Sequence, residues 1–282
     1  MPENQEKIGQ FEPVHAAHAI EQVVFALQFD HPLEEAAFAS ILQVAEQFAE
    51  GSVKQMPILE LAFVVDANVP SPPNPMPVPK KKGASFRKTA PDGTTVTHEF
   101  LVERNSITFR TTLYSRWDAI WQQANKYFSA LAPMYAEHAK LISINLNYVD
   151  KFVWSGDISK FKPSLLLREG SKYICPHVYE LQEMWHSHTG VFIRADQQTR
   201  RLLNVNIDAV DENVPDGIRR VVVISTVLLD QLNQASYEES NIRPDGIVSF
   251  VNQHMLELHK LGKEVLGNTI NEEMCKRIAL ME

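Results

Sequence analysis

Apolar and polar residues alternate in short blocks along this chain, interrupted by three stretches with helical spacing. Between Ala19 and Phe29 the residues Val23, Phe25, Leu27 and Phe29 are in phase, which places one side chain in two on a buried face and predicts a strand. Asp30-His31-Pro32 breaks that strand. Pro32 suits the opening of a helix, and Glu34 and Glu35 fall in a first turn, where the helix dipole favours anions. Phe38, Ile41, Leu42, Ala45, Phe48 and Ala49 then recur at three and four, predicting a helix that Gly51 ends. Leu59–Asp66 reads as a second strand.

Asp92-Gly93 is a tight-turn signal between the segment after Lys82 and a strand at Val96–Val102. Ser106–Leu113 forms the next strand. Ser115 is placed to cap a long helix whose apolar stripe is Trp117, Ile120, Trp121, Ala124, Tyr127, Phe128 and Leu131, with Pro133 kinking or ending it. Leu141–Val153 follows as a strand, with Ile142, Ile144, Leu146 and Tyr148 on one face and Ser143, Asn145 and Asn147 on the other. Further strands are expected near 163–168, 172–180, 185–194, 201–210 and 218–229. Gly246–Leu266 has helical spacing, with His254 and Leu258 on its apolar face. Gly267-Asn268 is expected to stop this helix, and Ile270–Leu280 to form a last short one.

Strands joined by hairpin-length connections, with helices between runs of strands, predict an α+β fold with mostly antiparallel sheets and packing helices. Residues 1–17 read as a tail, 18–153 as an N-terminal α+β lobe and 154–282 as a β-rich C-terminal lobe ending in helices. An internal echo, Ile144–Asp150 against Val205–Asp211, raises the expectation that the two lobes are similar. The odd feature is residues 69–83. Pro70, Pro72, Pro73, Pro75, Pro77 and Pro79 precede Lys80, Lys81 and Lys82, which predicts an extended basic loop. With Arg87, this loop is a candidate contact for a phosphate or an acidic partner surface.

Composition narrows the class. Apolar residues make up 44% and charged residues 22%, as in globular domains. The net charge of -8 weakens any general attraction to nucleic acid. Two cysteines, Cys175 and Cys275, make no disulfide framework. The polar first residues lack an apolar leader, and no run of residues reaches the length of a membrane span. A cytoplasmic protein is therefore expected.

Two side-chain clusters are candidates for chemistry. If 172–180 and 185–194 pair as a hairpin, Cys175, His177, His186 and His188 share a face and offer zinc a Cys and three His. The polar strand faces carry Asn145, Asn147, Asn206 and Asp208, with Asp150 and Asp211 at the strand ends, a donor and acceptor set for a polar ligand. His254 reads as a packed histidine bonded to a backbone carbonyl. No phosphate-loop, nucleophile-elbow, dinucleotide or H-E-x-x-H motif is present, and only 11 glycines are available to cradle phosphates.

Several segments together resemble a sporadically distributed family of uncharacterised bacterial proteins of about this length. They are HAIEQVVFALQF, SFRKTAPDG, YSRWDAIW, ISINLNYVDKF, LNVNID and the terminal LHKLGKEVLGNTINEEMCKRI. In that family a Tyr and a Trp open the long helix, a strand of arginine-tyrosine-isoleucine-asparagine type follows, and a Leu-His pair lies in the last helix. Tyr114, Trp117, Leu146–Val149 and Leu258-His259 hold these places here. Asn147 stands where arginine is usual, and Val149-Asp150 replaces isoleucine-asparagine. The resemblance implies a bacterial origin and one continuous module. The family's sporadic distribution points to cargo of mobile genes, such as phage-defence or toxin–antitoxin operons. It transfers no catalytic residue.

The expected function is a non-enzymatic binding or regulatory module for a partner protein, a second copy of itself or a small ligand, with no cofactor. The alternative is a metal-dependent or acid–base enzyme using His177, His186 and His188, or Asp208 and Asp211.

Overall fold

The computed structural model describes residues 10–48, 54–62, 78–215, 217–232 and 244–280. Within them the chain forms β1 (Phe11–Pro13), β2 (Ile20–Phe29), α1 (Glu35–Gln47), β3 (Lys54–Ala62), β4 (Val78–Thr89), β5 (Val96–Glu103), β6 (Ser106–Thr111), α2 (Trp117–Ala136) and β7 (Leu141–Trp154). Three short 3-10 turns follow at Ile158–Lys160, Pro163–Leu165 and Pro176–Glu180. Then come β8 (Trp185–Arg194), β9 (Thr199–Val214), β10 (Gly217–Leu232), α3 (Ile247–Thr269) and α4 (Glu272–Arg277).

All strands join one antiparallel sheet in the order β3-β4-β5-β6-β2-β7-β10-β9-β8, with β1 extending the sheet along β7 beyond the end of β2. This is the expected α+β class. The order is close to symmetric about the central β2–β7 pair, with four strands outside β2 and three outside β7. On each side a strand, a connection, a meander and a helix follow one another, with α1 in the first connection and the 3-10 turns in the second. The two halves therefore share one sheet and one buried core rather than forming separate lobes. The strand equivalent to β7 in this symmetry is β2. The echo links β7 instead to β9, which lies one strand away across β10.

The apolar phase decides which face is covered. Val23, Phe25, Leu27, Ile107, Phe109, Ile144, Leu146, Val205, Ile207, Ile224 and Leu228 are almost fully buried. Their face receives α2 and α3, which pack against β6, β7 and β10, while α1 packs on α2. Phe38, Ile41, Leu42 and Ala45 of α1 are buried as their spacing predicts.

Five local expectations change. Phe11–Pro13, expected within a tail, joins the sheet as β1 beside β7, and Phe11 is 2% exposed. Val78–Gly83, expected as loop, lies within β4, and Lys80 and Lys81 pair in register with Glu60 and Leu59. Proline is tolerated there because β4 at Pro79 has a ladder only to β3, so the missing N–H breaks no second ladder. The proline run up to Pro77 lies outside the described residues, as does Gly51. Ser115 does not cap α2, whose first residue is Trp117 after an Arg116 cap, and the helix continues through Pro133 to Ala136. The expected strands at 163–168 and 172–180 are 3-10 turns and loop instead. They lie over the end of the sheet, where Thr189 donates to the Tyr173 carbonyl and Ser187 accepts from the Cys175 N–H. Gly267 and Asn268 sit inside α3, and α4 starts only at Glu272, where Asn271 caps it.

Candidate functional site

Strand alternation places a carboxylate among apolar side chains. Asp150 is in phase with Ile144, Leu146 and Tyr148 on β7, so it faces the helices, whereas Asn145 and Asn147 face away from them. Asp150 was expected beside those asparagines at a polar strand end; parity puts it on the opposite face. It is 2% exposed, and its Oδ1 has no hydrogen-bond partner among the described residues. On β10, Thr226 lies directly opposite Tyr148, is 1% exposed, and its Oγ1 is also without a partner.

These groups form the floor of a cavity of about 530 Å³ between the sheet, the start of α2, the middle of α3 and the residues that follow α4. That volume lies in the range of small-ligand sites. One wall is aromatic. His259 of α3 stacks on Trp117 of α2 with ring centres 4.0 Å apart and planes within 3°. The Tyr148 hydroxyl is 2.8 Å from His259 Nδ1. Tyr114 stands edge-on to Tyr148 at 6.4 Å. Arg116, Asp118, Lys260 and Lys263 lie around the mouth.

Burial sets the charge state of this wall. It pushes the Asp150 carboxyl up to about 7, so the group exchanges its proton near neutrality. Burial, reinforced by the Lys263 charge, holds His259 down to about 4, so the ring is neutral in ordinary buffers. Tyr114 is pushed up to about 12 by burial and then by Asp150, and burial lifts Tyr148 well above the usual phenol range. The floor therefore contains neutral phenols, a neutral imidazole and one titrating carboxyl.

Gly262 makes this arrangement possible. A Cβ on it would lie 3.1 Å from Tyr148 Cε2 and 3.3 Å from Leu228 Cδ1, so any side chain there requires the ring or Leu228 to give way by a few tenths of an ångström. Gly262→Val is expected to push Tyr148 away from His259 and lower the melting temperature by several degrees, about 1–3 kcal/mol of overpacking, as read by thermal unfolding. An unchanged melting temperature would show that α3 has slack at this point.

The other expected residues fall elsewhere. Asn145, Asn147, Asn206 and Asp208 do lie together on the sheet face turned away from α2 and α3. Asp208 is engaged with His186 Nδ1 at 2.5 Å, however, and β10 separates Asn147 from Asn206. Asp211 is bound in a two-point ion pair to Arg220. Cys175 and His177 are not on a strand beside His186 and His188; they flank and enter the Pro176–Glu180 turn. Among the described residues no three His, Cys, Asp or Glu side chains are placed to share a metal ion. Lys82 pairs with Glu103, and Arg87 with the buried Glu99. His254 bonds to a carboxylate, Asp230 Oδ2, at 2.7 Å rather than to a carbonyl.

The cavity instead gathers positions that the sequence set apart for another reason. Of the positions Tyr114, Trp117, Leu146–Val149 and Leu258-His259 compared above with the bacterial family, Tyr114, Trp117, Tyr148 and His259 line it, whereas Leu146, Asn147, Val149 and Leu258 do not. Thr226 and Gly262 were not singled out. Thr226 carried a signal nonetheless, as the one polar residue in phase between Ile224 and Leu228. The chain matches no protein-family model and no curated protein sequence. Among the described residues no helix is long and apolar enough to cross a membrane.

Proposed function

We propose that the protein is a binding module whose cavity at Asp150, Thr226, Tyr148 and His259 takes up a small polar-headed molecule. The observation that carries this reading is the Asp150 carboxyl, buried at 2% exposure with an oxygen left unbonded. A buried polar group without a partner costs on the order of 1–3 kcal/mol, more if charged. Such a group calls for a physical reason, and a bound molecule that completes it supplies one. The aromatic wall, and a His259 ring held down to about 4 beside the Tyr148 hydroxyl and so weak as a base, fit binding better than covalent chemistry.

The test is a screen of small heterocycles and amino acids by tryptophan fluorescence and thermal shift. Leu256, exposed at the mouth, gives the control. Leu256→Trp is expected to abolish ligand-induced shifts while leaving the unliganded melting temperature within about 1–2 °C, as for other surface substitutions. Ligand shifts that survive in Leu256→Trp would move the binding site out of this cavity.

One observation favours a second reading. A carboxyl that titrates near 7 is suited to general acid–base catalysis at neutral pH. Turnover of a bound ligand that disappears in Asp150→Asn while binding persists would establish that reading.

A further inference from the structure

Two aspartates are buried on the helix side of the sheet, and the fold treats them differently. Asp230 is fully buried and receives Arg201 Nε at 2.5 Å, Arg201 Nη2 at 2.7 Å and His254 Nδ1 at 2.7 Å. Asp150, two strands from Arg201 on β7, has no arginine, lysine or histidine bonded to it among the described residues, and its Oδ1 meets no donor there. Its neighbours are Thr226, also unpartnered, and Tyr148, whose hydroxyl is engaged by His259. Asp230 is a carboxylate completed from within the chain; Asp150 lacks the fork of N–H donors that completes Asp230. The mouth has the opposite character. Arg116 and Lys260 are exposed there and enter no ion pair among the described residues, with Lys263 beside them and Asp118 as the only carboxylate.

We infer that the ligand carries a guanidine-type head, a fork of adjacent N–H donors received by Asp150 and Thr226, joined to an anionic group held at the mouth by Arg116 and Lys260. The inference rests on the cavity reading above and names the chemistry of its occupant. Carboxylates and such forks pair through two parallel hydrogen bonds. A ligand bearing only the cation meets repulsion at the mouth, and a plain anion has nothing to offer the floor. The head can come from a free guanidino amino acid or from a guanine nucleotide, which presents the same donor edge.

The experiment uses the full chain at pH 8 with arginine, GMP, agmatine and acetate as probes in titration calorimetry. Arginine or GMP is expected to bind, and whichever binds identifies the source. Asp150→Asn replaces an acceptor by a donor against the fork and is expected to weaken binding by roughly 10- to 100-fold. Agmatine, which has the head without the anion, should bind more weakly than arginine, and the double variant Arg116→Gln/Lys260→Gln should narrow that gap. Equal binding to the wild type and Asp150→Asn overturns the inference, as does failure of both arginine and GMP to bind. Nitrobenzene separates that failure from failure of the cavity reading, because its quenching of Trp117, taken against Trp117→Phe, needs no fork. Saturable quenching without arginine or GMP binding leaves the cavity and removes the proposed head; absence of both removes the two together.

Discussion

Replacing Asp150 by asparagine is expected to raise the stability of the fold, and to raise it more as the pH climbs. In an unfolded chain this carboxyl titrates near 3.8, whereas in the fold it titrates at about 7. Between those values the folded state holds a proton that the unfolded state has released. The stability that the neutral carboxyl contributes is thus complete below about 4 and is lost as the pH rises through about 7. The full displacement corresponds to on the order of 4 kcal/mol in alkaline buffer. Asparagine keeps the shape and never ionises, so its advantage over the wild type should grow from near zero at pH 4 to that scale at pH 8. Urea unfolding of both proteins across this range measures it. A constant difference would mean that the carboxyl is hydrated or paired in solution, and the argument for an unsatisfied site would fall with it. His259 works in the other direction. Its ring stays neutral in the fold, so its contribution is complete above about 6.5 and is lost as the pH falls towards 4. In the wild type the two trends oppose each other, and Asp150→Asn exposes the histidine's.

Asp230→Ala should do the reverse and destabilise the protein by about 3–5 kcal/mol at neutral pH, because it leaves the Arg201 guanidinium buried without its carboxylate. Arg201 is 8% exposed and His254 6%, so neither can turn to water without moving α3. Burial by itself would raise the Asp230 carboxyl, but hydrogen bonds and charge from Arg201 and His254 outweigh it and hold the group below the usual range. Its contribution is present above about 3.8 and disappears as the pH falls through the lower folded value. Glu257 also reaches Arg201, at 3.2 Å, but its side chain is 44% exposed, and Glu257→Ala is expected to change stability by less than about 1 kcal/mol. Chemical denaturation of the two variants checks the contrast. If both lose equally, Asp230 is not the anchor of this network.

The opposite signs expected for two buried aspartates follow from their neighbours, not from their burial. That difference separates what was legible in the chain from what was not. The strand phases of β2, β5, β6 and β7 and the helical stripes of α1, α2 and α3 were readable because burial selects apolar residues at periods of 2 and 3.6. Parity also had the information to put Asp150, Thr226 and Asp230 on the covered face, since each continues an apolar series two residues at a time. Grouping Asp150 with Asn145 and Asn147 followed residue type instead of phase. The 3-10 segments Pro163–Leu165 and Pro176–Glu180 read as strands in the sequence because short apolar runs look alike in either state; tertiary packing over the sheet end decided them.

The sequence by itself determined the fold class, the long periodic strands and helices and the phase of their inward residues, since these depend on local spacing and on the exclusion of apolar surface from water. Only the tertiary structure decided which inward polar groups find partners. Arg201 reaches Asp230 across the β9–β10 ladder and His254 reaches it from α3. His259 and Trp117, more than a hundred residues apart, close over Tyr148 and leave Asp150 facing a cavity. Strand order and helix placement set those meetings, and no periodicity within a single segment encodes them.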